Sequence, residues 1–259
     1  MSITGRSVSA WYKDLLQIDN SNSGVDSTLR TVKSGDGSSS SLSISDRRVK
    51  VLPSDDTTTV FEVYDKDGNA KFLVDTSNDY VKALGYNVNT QYKHFGANSA
   101  DSVFAGALAN THYMIPFQRS SMTALAPIGT STNPDTSLTV STTADDVVTC
   151  MWYVMDNITV DGVVWWHGGD AATGDTTRCH LMSYDIVRDN SSTSGDLSNG
   201  TVIADGSDIT NAGYEQAYFQ NMTIQSANVD KAKAIFFVFR SDSVNSDFSI
   251  NAQIKFHLR

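Results

Sequence analysis

The sequence predicts an all-β protein built as an extended N-terminal arm, a small β-hairpin neck and a C-terminal jelly-roll-like β-sandwich, assembled as a homotrimer. Three observations predict it. Of 29 acidic residues, 27 are Asp and only Glu62 and Glu215 are Glu. Asp bonds to nearby backbone and favours turns and caps, whereas Glu is a good helix former. β-Branched and aromatic residues supply most of the apolar content, among abundant Ser, Thr, Asn and Gly. Short apolar runs also alternate with polar residues between turn signals, the pattern of many short strands.

Residues 1–50 carry an apolar-aromatic patch, Trp11, Tyr12, Leu15, Leu16 and Ile18, followed by polar tracts at Asp19–Gly24 and Ser34–Ser41. Segments such as Leu29–Val32 and Leu42–Ile44 are too short to bury anything alone. The patch therefore reads as an anchor that docks onto another protein, the other reading being an arm that wraps its own trimer. Residues 51–84 form the neck. Phe61 and Val63 alternate with polar residues, Asp65–Asn69 supplies turn chemistry, and Phe72 and Val74 resume the alternation. A lone hairpin is marginal in water, and three copies packing these four side chains around an axis would stabilise it. Residues 85–110 read as a connector with a short helix at Ser99–Leu108. Residues 111–259 read as the head. Its strand candidates are Tyr113–Phe117, Ser137–Val140, Val147–Val154, Asn157–Trp166, Thr177–Asp185, Thr201–Ala204, Glu215–Gln225, Ala234–Phe239 and Ser249–Leu258. In the last of these, Phe248, Ile250, Ala252, Ile254, Phe256 and Leu258 share one face, as in a core strand.

Composition excludes several classes of function. The formal charge is -10, with -2 on residues 1–84 and -8 on residues 85–259. Without a Lys/Arg cluster this is no duplex-binding surface, so nucleic acid is not an expected partner. No apolar run reaches the 18 or so residues of a membrane span, and Met1–Ala10 lacks the apolar core of a signal peptide. Cys150 and Cys179 could pair or remain small buried hydrophobes, the latter being favoured for a chain made in the cytoplasm.

The catalytic and metal motifs have simpler explanations. His94, His112, His167, His180 and His257 are scattered, and Cys150, His167, Cys179 and His180 match no common zinc spacing. Asp65-Lys66-Asp67-Gly68-Asn69 opens like a calcium loop but lacks its bidentate acid, so it reads as a hairpin turn. Asp145-Asp146 and the loop aspartates read as exposed turn acids rather than as a glycosidase pair. The Asn-x-Ser/Thr sequences at Asn157, Asn190, Asn199 and Asn221 follow from composition. No catalytic residue, cofactor or metal is expected. Alternation along Val163–Gly169 sends Trp165 and Trp166 to opposite faces. Trp165, Trp166 and His167 are accordingly the candidates for contact with a receptor or glycan, against a structural reading of core plus subunit contact.

The tract Trp11–Asp26, with Gly35-Asp36-Gly37-Ser38-Ser39, Phe61–Asn69 and Phe72-Leu73-Val74-Asp75, resembles virion structural proteins of tailed bacteriophages, especially fibre-type appendages of marine phages. The head is similar in general character to trimeric jelly-roll and C1q-like heads. The resemblance implies a homotrimer in the virion, fixed by its N-terminal arm to a tail or capsid protein, with heads that contact a host-surface glycan or protein. The other readings are a capsid decoration protein that clamps the shell, and a depolymerase. A depolymerase would show the repeated Gly/Asn ladder of a β-helix, which is not visible in the sequence.

Overall fold

The computed structural model describes residues 15–21, 23–97, 107–118, 126–141, 143–169, 173–212, 216–243 and 248–259. Nearly all regular structure in it is β. The chain divides into two compact units, Met1–Val88 and Asn89–Arg259.

Unit 1 holds two antiparallel four-stranded sheets, each in simple sequential order. The first comprises β1 (Leu16–Ile18), β2 (Arg30–Ser34), β3 (Ser39–Ile44) and β4 (Val49–Val51); the second comprises β5 (Phe61–Tyr64), β6 (Ala70–Asp75), β7 (Tyr80–Ala83) and β8 (Tyr86–Asn87). Residues 16–51 are thus a meander rather than the extended arm the polar tracts predict. The difference lies in the turns. Ser34–Ser38 closes a hairpin with Gly37 at a φ of 91°, and the following serines pair in β3 instead of looping. The hairpin expected between Thr59 and Val81 forms, with Phe61 opposite Val74 and Val63 opposite Phe72. Opposed residues share a face, so these four side chains lie together. Trp11 and Tyr12 fall outside the described residues, as does most of the segment read as a helix at Ser99–Leu108.

Unit 2 begins with β9 (Thr90–Ala97), an eight-residue strand where a connector was expected. Next come β10 (Thr111–Ile115), α1 (Ala144–Cys150), β11 (Trp152–Tyr153), β12 (Ile158–Gly169), β13 (Thr176–Ile186) and β14 (Leu197–Asp205). Then follow β15 (Ile209–Thr210), β16 (Gln216–Asn221), β17 (Thr223–Ile224), β18 (Asn228–Val229), β19 (Lys233–Ser241) and β20 (Phe248–Leu258). One sheet runs β10-β19-β13-β14-β17, with β11 beside β19 and β15 beside β13; the other runs β16-β12-β20-β9, with β18 beside β12. Their facing side chains form one apolar cluster, with Phe237 meeting Phe95 and Phe239 meeting Phe248 across the gap. The strand expected at Val147–Val154 is instead α1 followed by the short β11. Asp145 and Asp146 sit in the helix's first turn, where its dipole favours acids, and Val147 and Cys150 bury at helical spacing. Cys150 and Cys179 are both buried and form no disulfide, and burial pushes both thiols well above the usual range.

Candidate functional site

Trp165, Trp166 and His167 lie on β12, between β16 and β20. Successive strand residues face opposite ways, and that separates the three. Trp165 is fully buried on the inner face, donating from Nε1 to Gln220 Oε1 at 3.1 Å. His167 is buried beside it, stacked on the Trp165 ring at 5.0 Å and on Tyr218 at 5.1 Å, with Phe239 and Phe248 against its edges. Its Nε2 reaches Thr177 Oγ1 at 3.3 Å, and burial holds the ring below the usual imidazole range. A receptor contact for Trp165 or His167 is therefore corrected: both belong to the core, and no ligand reaches them without unfolding the head.

Trp166 points the other way, to the outer face of β16-β12-β20-β9. Phe219 of β16 lies directly opposite it, 69% exposed, with ring centroids 6.1 Å apart and planes within 15°. His94 of β9 approaches from the other side at 6.3 Å, and Tyr92, 57% exposed, follows on the same strand face. The neighbouring row across the sheet is Asn221–Val164–Gln253–His94. Asn221 and Gln253 are exposed, and among the described residues their side-chain amides make no hydrogen bond. The result is a nearly flat apolar strip flanked by amides that can both donate and accept. That is the chemistry of a sugar platform: ring C–H groups on aromatic faces, hydroxyls on amides. The pairing of Trp166 with Phe219 was not legible in the sequence, where the two are 53 positions apart and only the strand register joins them.

The remaining site residues fall in unit 1. Leu15 and Leu16 are exposed and Ile18 is half-buried on β1. Phe61, Val63 and Phe72 are exposed and Val74 half-buried on one face of the second sheet. Asp65 is a turn residue, accepting from the Asp67 and Asn69 amides at 2.9 Å each, so the calcium-like tract is a hairpin turn. Among the described residues no three His, Cys, Asp or Glu side chains come together as metal ligands.

Sequence reading missed one polar cluster altogether. His112 and His180 are fully buried, with rings edge to face at 5.1 Å. Among the described residues no nitrogen of either ring makes a hydrogen bond, although His180 Nε2 lies 3.2 Å from Asp205. Arg178 is clamped by Asp205 through Nε and Nη2 at 3.1 and 2.6 Å and faces Asp208 at 3.5 Å. Arg240 stands opposite both His112 and Arg178 in the sheet. Burial above all holds both imidazoles below their usual range, His112 down to about 4 with the neighbouring His180 and Arg240 adding to it, while at His180 the Asp205 carboxylate opposes the fall and Arg178 and Arg240 support it. The unfolded chain thus binds protons that the folded head refuses. The stabilising contribution is complete above about pH 6.5 and is lost as pH falls toward 4, with His112 alone accounting for about 3 kcal/mol. Thermal unfolding of the head between pH 7.5 and 4.5 is expected to show this loss, and His112→Gln is expected to flatten it.

No family model matches the chain, and no curated protein matches it.

Proposed function

We propose that the protein is a non-enzymatic structural component of a bacteriophage virion. It is a homotrimeric short fibre or appendage, held to the particle by its N-terminal side, whose jelly-roll-like heads attach to a host-surface glycan. One observation carries this reading: unit 1 has no core of its own. Val32 is the sole apolar side chain buried among its described residues, against 35 in unit 2. Small sheets with one open apolar face are not stable alone in water, and neighbouring copies supply the missing layer. The resemblance of Trp11–Asp26 and Phe61–Asp75 to phage appendage proteins supports the virion as the setting.

The aromatic strip supplies the contact. A single sugar on Trp166 and Phe219 binds weakly, and three strips on one trimer raise the effective concentration enough for firm attachment. Full-length protein applied to a panel of bacterial surface polysaccharides is expected to bind at least one of them. Trp166→Ala and Phe219→Ala should each abolish that binding with no more than a few degrees' change in melting temperature. Binding that survives both substitutions would remove the strip from the account. Antibody labelling of purified phage particles should decorate projections on the tail or capsid, and particles without the chain would contradict the virion assignment.

A further inference from the structure

The two sheets of unit 1 are copies of one motif. Arg30 and Phe61, and Ser39 and Ala70, each open a strand, and the members of both pairs are 31 residues apart. The first hairpin of each copy closes in the same way. Ser34 N donates to Ser38 O and Gly37 N to Ser34 O; Asp65 N donates to Asn69 O and Gly68 N to Asp65 O. Gly37 and Gly68, again 31 apart, both take the left-handed conformation, with φ of 91° and 81°, that this turn requires. The second hairpins pair equivalently: Ile44 opposes Val49 and Leu42 opposes Val51, as Val74 opposes Val81 and Phe72 opposes Ala83. The strand Val49-Lys50-Val51-Leu52 is answered by Val81-Lys82-Ala83-Leu84.

The register shows which faces correspond. Leu42, Ile44, Val49 and Val51 occupy the positions of Phe72, Val74, Val81 and Ala83, and Val32 that of Val63. Lys50 and Lys82 lie on the opposite faces, beside Ser43 and Leu73. Each copy therefore presents a largely apolar face of like design, with Arg30 in the first where the second has Phe61, and each leaves most of it open: Val49 is 68% exposed and Val63 46%, while Val32 is buried. A surface repeated within one chain fits an occupant repeated in the same way. A lasting interface takes about 20 residues a side. One copy of the motif provides five apolar side chains, so two in tandem make a more adequate contact than either alone.

We propose that the apolar face of the first sheet, like that of the second, is covered by the same sheet of other copies of this chain, making residues 30–84 a two-repeat self-association shaft. Docking to the particle is then confined to the residues before Arg30. The inference rests on the homotrimer reading and extends it to a segment that the sequence assigns to the arm.

Hydrogen exchange of the full-length protein, read together with its native mass, tests this. In the wild-type trimer the amides of residues 30–51 should be protected to a degree comparable with residues 61–83. Leu42→Asp and Val51→Asp should each speed exchange over residues 30–51 at least tenfold and leave the head protected. Lys50→Asp, on the other face of the same strand, should leave both residues 30–51 and the head protected. A trimer in which residues 30–51 exchange freely, or one indifferent to both apolar substitutions, overturns the inference and leaves the trimer standing. A monomeric wild-type chain overturns both.

Discussion

Replacing Trp165 with alanine is expected to cost the head about 4 kcal/mol, within the range for emptying a large buried aromatic site. The indole fills the inner face of β12 where few neighbours can collapse inward. His167 stacks on it, Gly206 backs its Nε1 edge, and Gln220, which accepts its N–H, also accepts from the Ser207 amide at 2.8 Å. Removing the ring therefore leaves a cavity and takes one hydrogen bond from Gln220. For a unit of this size the melting temperature should fall by about 10 °C. Trp166→Ala, one residue along the same strand, removes a side chain half in solvent and is expected to cost less than about 1 kcal/mol. Differential scanning calorimetry of the two variants would read the contrast. Equal losses would mean that Trp166 is also a core residue.

Ending the chain before β20 is expected to abolish the head altogether. The strand is hydrogen-bonded on both sides, to β12 from Gly169–Phe248 through Ile158–Leu258 and to β9 from Ala97–Ile250 through Thr90–His257. Phe248, Ile250, Ala252, Ile254 and Phe256 are all buried in the cluster between the sheets. Their loss removes roughly 10 kcal/mol of apolar burial, comparable with the whole stability of a domain, and leaves β9 unpaired. Near-ultraviolet circular dichroism of a chain stopped at residue 247 should show no fixed aromatic environment. Removing only His257, Leu258 and Arg259 should be milder, since these end the strand and are not fully buried.

The loss expected on removing β20 falls where the sequence was most legible, whereas alternation at Trp165 and Trp166 left open which of the two was core. Strict alternation along Phe248–Leu258 identified a core strand, because an inner face between two sheets tolerates few departures from period two. The Asp-Gly turn likewise marked the Phe61–Val74 hairpin. The signal failed where a strand's pattern was interrupted. In β9, Gln91 and Lys93 fall on the same side as buried Phe95, and an aromatic, Tyr92, falls on the outer side, so no clean alternation appears. At Val147–Val154, the apolar residues fit either a strand or a helix, and two aspartates in a first turn decided it. The repeat in unit 1 was hidden because equivalent strands are offset by 30, 31 or 32 residues and a serine run replaces Ala70 and Lys71. Of the outward site, Trp166 could be read from β12 alone, whereas Phe219 and His94 join it only through strand pairing across the sheet.

Self-association through unit 1 is the central claim, and the mass of the full-length protein under native conditions tests it most directly. The account requires a species of three times the 28.1 kDa of one chain, persisting on dilution and shifting toward monomer when Phe72→Asp and Val51→Asp are combined. A stable 28.1 kDa species with fully protected amides across Arg30–Ser34, Phe61–Tyr64 and Ala70–Asp75 would contradict it, since those strands would then be folded without the partners that their open faces demand.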